Sequence, residues 1–165
     1  NHSSNTNAGG WKGCDLRYDV LGSTNTNDGD ATATTATNPV ANTLMAALPS
    51  DLRAVMQPMT IYTDNTGGGS DNASYVTKTT AEYEIFGTRT YANSAEKNYQ
   101  AQYAYYSAGN SKVKYCHSST SSTAWWWERS PYCGSSYTFC IVTTNGNAST
   151  NSARISGGVA PAFRV

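Results

Sequence analysis

The residues of this 165-residue chain that could do chemistry are few, and their spacing argues against the reactions they suggest. Cys116 stands beside His117, a nucleophile next to a base. Neighbours on a strand point to opposite faces, so the pair cannot share a proton. The four cysteines, Cys14, Cys116, Cys133 and Cys140, contain no C-x-x-C pair, and with two histidines in the chain no zinc site is expected. Their disulfide connectivity stays open; Cys140, inside an apolar strand pattern, reads as a free buried thiol. Asp64 and Asp71, with Asn65 and Asn72, offer oxygen ligands. Their spacing matches no standard calcium loop, and a solvated turn is expected. Glu128 and Arg129 read as a structural ion pair supporting a sheet. The chain is therefore expected to be neither an enzyme nor a holder of metal or cofactor.

What the sequence offers instead is a surface. From Arg129 to Val165 there is no Lys, Glu, Gln, Met or Trp, although these types fill 19 of the first 128 positions. At that frequency an unbiased run of this length would lack all five only about a few times in a thousand. Ser, Thr, Asn and Tyr hold 14 of the 25 places from Tyr132 to Ser156. Tyr gives large amphipathic contact area at low entropic cost, and Ser and Asn give adaptable hydrogen bonding.

The elements that must present this surface fit one domain. Asn1 to Gly10 reads as a polar lead-in or linker, and 11–165 as a single domain. Trp11 to Leu21 has helical spacing and stops at Gly22. Ser23 to Asn38 is a low-complexity loop. Pro39 opens a helix with Val40, Leu44 and Leu48 on its apolar face, and Ser50 caps a second one. Met59 to Thr63 is a strand, Asp64 to Asn72 a glycine-rich loop, Tyr75-Val76 a strand, and Ala81 to Phe86 a helical turn closed by Gly87. Ser94 to Ser107 is the clearest helix, capped by Ser94, with Tyr99, Tyr103 and Tyr106 on one face. Val113 to Tyr115, Ala124 to Glu128, Tyr137 to Thr143 and Val159 to Val165 read as four strands. Alternation buries either Trp126, or Trp125 and Trp127. Helices first and an antiparallel sheet later make an α+β pattern. Zero formal charge, from 11 basic and 11 acidic residues without a basic cluster, argues against nucleic acid as partner. No apolar run approaches the ~18 residues of a membrane span, so no membrane insertion is expected.

Trp125-Trp126-Trp127-Glu128-Arg129-Ser130-Pro131, Phe139-Cys140-x-Val142, Gly146 and the closing Gly158-Val159-Ala160-Pro161-Ala162-Phe163-Arg164-Val165 carry a resemblance. The chain resembles the C-type-lectin-fold variable proteins that retroelements diversify in phages and gut bacteria. It is also similar to related domains of unassigned function with a W-x-R-S-P…G-V-x-P-A-F-R ending. Gly9-Gly10-Trp11…Leu16-Arg17 and Leu48-Pro49…Leu52-Arg53 resemble the helices of those domains, so the likeness extends over most of the chain. The family pattern would place a longer apolar strand between Tyr75 and the Ala81 to Phe86 element, where this sequence is short. In such systems an RNA template is copied with errors opposite adenines. Randomising the first two bases of AAC or AAT codons yields no stop codon and cannot produce Lys, Glu, Gln, Met or Trp, the set missing here.

The resemblance implies a C-type-lectin-like fold: short helices followed by a twisted antiparallel sheet with long irregular loops, and a variable region at about 132–157. Phe139, Val142 and Gly146 would be core and turn positions. The changeable, ligand-binding positions would be Tyr132, Cys133, Ser135, Tyr137, Thr138, Ile141, Thr143, Asn145, Asn147, Ser149, Thr150, Asn151, Ser152, Arg154 and Ile155. Tyr132, Tyr137, Ile141, Arg154 and Ile155 would be the energetic anchors, because aromatic and Arg side chains dominate hot spots. The implied function is a receptor-binding adhesin domain at a phage fibre tip or bacterial surface structure, on a virion or cell surface. Its partner would be a host-cell surface protein or glycan, and a trimer would suit a fibre. The alternative from another class is a non-catalytic structural fibre or decoration protein whose polar tract is a solvated face.

Overall fold

The structure, a computed structural model, describes residues 4–22, 38–57, 59–64, 70–75 and 77–165. Among these residues three short helical pieces precede the first three strands, β1 (Met59–Asp64), β2 (Ser70–Tyr75) and β3 (Thr77–Lys78), and three more precede the last seven, β4 (Lys114–Cys116), β5 (Ser119–Ala124), β6 (Trp126–Pro131), β7 (Thr138–Val142), β8 (Ala148–Ser152), β9 (Gly158–Val159) and β10 (Ala162–Phe163). The largest sheet has the order β8-β7-β6-β9, antiparallel except for the parallel β6–β9 pair. β1–β2, β4–β5 and β3–β10 form two-stranded antiparallel sheets. The architecture is α+β, with short helices and both antiparallel and mixed sheets. The chain's last residues return to the start of β1, where Gln57 bridges Arg164.

β6 is buried along its whole length. Trp127 packs on one side with Trp11, Leu16, Leu21, Ile61, Phe139 and Ile141; Trp126 packs in a separate cluster with Ile85, Tyr106 and Val142. Either–or burial of the tryptophans assumed a sheet with one wet face. Here both faces of β6 and β7 are covered, so Trp126 and Trp127 are buried together and Trp125 is partly buried. Beyond Trp127, which pairs with Ile141, the next partners are Pro131 and Phe139. β6 thus advances four residues while β7 advances two. This bulge turns Glu128, Arg129 and Ser130 into the interior, and Pro131, lacking an N–H, sits where the ladder is already broken.

Several local expectations are corrected by tertiary contacts. The helix expected over Ser94 to Ser107 is two pieces, a 3-10 segment Ser94–Tyr99 capped by Asn93 and a short α-helix Ala104–Ser107. Between them Gln100 Nε2 donates to the Tyr62 carbonyl (2.7 Å) and Gln102 Nε2 to that of Ile85 (2.9 Å). These bonds draw the segment onto β1 and the helix Glu82–Phe86, overriding helical propensity. In the first expected helix only Leu16–Val20 is helical, as a π-turn. Its i→i+5 bond from Leu21 to Leu16 puts both leucines inward and Val20 outward. The next helix starts at Leu44, leaving Val40 exposed. Ser50 opens its helix with Pro49 as the capping position. Ser70 to Asn72 is strand rather than loop, and the last expected strand is two short ones, β9 and β10. The loop expected at 23–37, Asn65 and Val76 lie outside the described residues.

Gly158 marks a close approach that a side chain would break. It pairs with Trp126, and a Cβ there would lie 2.7 Å from the Trp125 carbonyl oxygen. Gly158→Ala should cost about 1–3 kcal/mol, the usual range for overpacking. The readout is a lower urea midpoint at constant m-value; an unchanged midpoint would refute the contact.

Candidate functional site

The bulge of β6 supports the surface that follows it. Arg129 Nη1 donates to Glu84 Oε2 (2.6 Å) and to the Thr79 carbonyl (2.9 Å), while Nη2 reaches the Tyr62 carbonyl (3.3 Å). The partner of Arg129 is therefore Glu84, not Glu128 as expected, because a guanidinium directed inward by the bulge meets the start of the helix Glu82–Phe86. Glu82 accepts hydrogen bonds from the backbone N–H groups of Thr90, Tyr91 and Ala92. The loop so gathered then meets the tract: Cys133 N donates to Tyr91 O, Ala92 bridges Tyr132, and the Tyr91 and Tyr132 rings meet edge to face at 5.5 Å.

The segment expected to be a lead-in is part of the same construction. Asn7, only 2 % exposed, donates from Nδ2 to the carbonyls of Tyr132 (3.2 Å), Ser135 (2.6 Å) and Thr138 (2.9 Å). Its backbone N–H donates to Ser136 O, and Asn5 accepts from Ser152 Oγ. A buried amide whose two N–H groups are shared among three carbonyls of one turn gives the 132–138 loop its shape. Nothing in a polar Asn/Ser/Thr stretch distinguishes such an arm from a solvated linker, so sequence reasoning missed it. Thr6, Asn7, Asp64 and Asn93 join Tyr132, Cys133 and Ser135 around a cleft of about 560 Å³.

The fifteen expected site residues fall into three groups and one exception. Tyr132, Cys133, Ser135, Tyr137, Thr138, Ser152, Arg154 and Ile155 gather at one end of the β7–β8 hairpin, where Ala153 N donates to Tyr137 O. Of these, Cys133, Tyr137, Arg154 and Ile155 are exposed and the rest half-buried. Ser149, Thr150 and Asn151 run half-buried along the edge strand β8. Thr143, Asn145 and Asn147 form the turn at the far end, about 17 Å away by strand length. Ile141 is the exception and a correction. It is 6 % exposed and packs with Trp127 and Phe139, since its face of β7 is covered like the other. Phe139 and Val142 are buried, and Gly146 holds a left-handed φ of 83° in the turn.

All four cysteines are free. Burial pushes the thiols of Cys14 and Cys140 up, Cys140 well above its usual value, which disfavours the thiolate. No group of three or more His, Cys, Asp or Glu suited to a metal ion exists among the described residues. No helix among them is long and apolar enough to cross a membrane.

The chain belongs to the family described as "Domain of unknown function (DUF6273)", whose model matches residues 1–165. No curated protein matches the chain, and no solved structure does.

The carboxyl groups beneath the surface make stability depend on pH. Burial pushes Glu96 from 4.5 up to about 7, against the opposing pull of Arg129 and of hydrogen bonds from Ser130 and Asp64 N. Burial, and then the charges of Glu82 and Glu96, raise Glu128 well above the carboxylate range. Neither carboxyl oxygen of Glu128 has a hydrogen-bond partner among the described residues. In the unfolded chain both groups lose their protons near ~4.3. Below that pH their contribution is fully present; above it the unfolded state ionises first, and stability falls as pH rises, for Glu96 by roughly 3–4 kcal/mol through about pH 7. Glu128→Gln keeps the shape and removes a proton site, so it should gain on the wild type toward about pH 8 and match it near about pH 4. Urea titrations across that range check this; a pH-independent difference would show that Glu128 is not held protonated.

Proposed function

We propose that residues 132–157 form the retroelement-diversified binding surface of a C-type-lectin-like receptor-binding domain, displayed at a phage fibre tip or bacterial surface structure. The protein acts as a non-catalytic adhesin whose partner is a host-cell surface protein or glycan. The observation that carries this reading is a partition within one tract. Phe139 and Val142 go to the core and Gly146 to a left-handed turn that favours glycine, while Cys133, Tyr137, Asn145, Asn147, Arg154 and Ile155 stand exposed. It coincides with the loss of Lys, Glu, Gln, Met and Trp after Glu128. Return of the chain's end to the start of β1 also supports a lectin-like closure. The binding epitope is the end where Tyr132, Tyr137, Arg154 and Ile155 meet, with the β8 edge beside it; Ile141 contributes packing.

Sequencing the 3′ end of the gene across related isolates tests this. Substitutions should concentrate at AAY-type codons of the exposed and edge positions, with Phe139, Val142 and Gly146 constant; an invariant tract would sink the idea in favour of a structural decoration protein. A folding readout needs no ligand. Tyr137→Ser, Asn145→Tyr and Arg154→Ser should each stay within about 0.5 kcal/mol of wild type. Ile141→Ala should lose about 2–5 kcal/mol.

A further inference from the structure

Two adjoining clefts lie outside residues 132–157 and share Lys114, Trp126, Ala160 and Pro161. The larger, about 690 Å³, is walled by Lys114, Tyr115 and His117; the smaller, about 220 Å³, by Tyr103, Tyr105 and Tyr106. Trp126 is almost wholly buried and forms their common floor, held by a hydrogen bond from Nε1 to the Lys112 carbonyl (3.1 Å). Tyr105 and Tyr115 are more than half exposed at the rim. Lys114 Nζ stands 5.8 Å from the Trp126 ring centre, and Lys112 Nζ 5.9 Å from that of Tyr106.

Charge here is one-sided. From Ala101 to Val165 the only acidic side chain is Glu128, which is buried, whereas Lys112, Lys114, Arg154 and Arg164 are at least partly exposed. Among the described residues no carboxylate side chain lines either cleft. Exposed phenol rings present apolar faces and a hydroxyl edge, which suits the C–H face and hydroxyl rim of a sugar ring. An ammonium unpaired with a carboxylate suits an acidic substituent on that ring.

We propose that this double cleft is a binding site for a short acidic saccharide bearing uronic carboxylates, recognised by Tyr105 and Tyr115 through ring faces and by Lys114 through charge, without a metal ion. Nucleic acid is disfavoured, because a phosphodiester strand needs a row of cations rather than two lysines. The inference stands apart from the diversified surface, since no lining residue belongs to the tract.

Calorimetric titration of the full chain with trigalacturonate, galactotriose and oligothymidylate tests it. Trigalacturonate should bind, more weakly as salt rises and equally in the presence of EDTA. Galactotriose should bind about tenfold more weakly, the worth of one charge-assisted hydrogen bond. Lys114→Met and Tyr115→Ala should each weaken trigalacturonate about tenfold with an unchanged far-ultraviolet circular dichroism spectrum, and Tyr137→Ala should leave it unaltered. No binding, equal binding of the neutral sugar, tighter binding of oligothymidylate, or loss on Tyr137→Ala would each overturn the assignment. The salt, EDTA and neutral-sugar arms decide the matter even if a variant fails to fold.

Discussion

Arg129 is a guanidinium deep in the interior, and a buried charge survives only where partners surround it. Its ion pair to Glu84 is completed by the carbonyls of Thr79 and Tyr62, and its own N–H reaches Thr80 O. One side chain thereby ties β6, β1, the 79–80 segment and the helix Glu82–Phe86. Removing either partner of such a pair leaves an uncompensated charge worth about 3–5 kcal/mol. The arrangement requires the β6 bulge, since a regular strand would carry Arg129 along a sheet face instead of toward the helix. Four glutamates, Glu82, Glu84, Glu96 and Glu128, sit in this interior beside one arginine. Burial first, and then the charges of Glu82 and Glu96, raise Glu128 well above the carboxylate range, while Glu84 takes the ion pair with Arg129.

The polar interior continues outward as a chain of backbone contacts. Glu82 gathers the N–H groups of residues 90–92; Tyr91 passes its carbonyl to Cys133 N and its ring to Tyr132. From the other side Asn7 fastens the carbonyls of Tyr132, Ser135 and Thr138. The loop bearing the exposed Tyr137 is thus gripped through main-chain atoms on both flanks. The main-chain part of this grip does not depend on side-chain identity in the loop, whereas the Tyr91–Tyr132 ring contact and the bond from Ser152 to Asn5 do.

Parts of this were legible in the sequence for a physical reason. The Ala81–Gly87 turn follows from a glycine stop, a local signal, and Phe139 and Val142 sit in the core as the family resemblance implies, whereas alternation allowed only one of Trp126 and Trp127 to be buried. Ile141 was not legible, because alternation tells which residues share a face but not whether the second face is covered. The Ser94–Ser107 helix failed for a related reason: Gln100, Gln102 and Glu96 satisfy partners on β1, β6 and the helix Glu82–Phe86, far along the chain. Long-range hydrogen bonds leave no periodic trace. Adjacent Glu128 and Arg129 invited pairing, and only the register slip shows that their side chains diverge.

The contrast between β7 and β8 explains where variation is physically affordable. β7 is covered on both faces, so every one of its side chains from Phe139 to Val142 is buried and its volume constrained. β8 is the sheet edge, and all five of its residues are half-buried on both faces. Edge strands of flat apolar residues invite pairing with other chains; short polar ones do not. Ala-Ser-Thr-Asn-Ser fits that need, and the bond from Ser152 to Asn5 covers one end. A side chain on β8 therefore meets water on part of its surface and backbone on the rest, without a cavity to fill. Diversity confined to β8, the flanking loop and the 143–147 turn changes the outward chemistry, whereas the same diversity at Ile141 would enter the packing around Trp127. The surface open to solvent is set by which strand lies outermost, and the boundary runs between two strands joined by one turn.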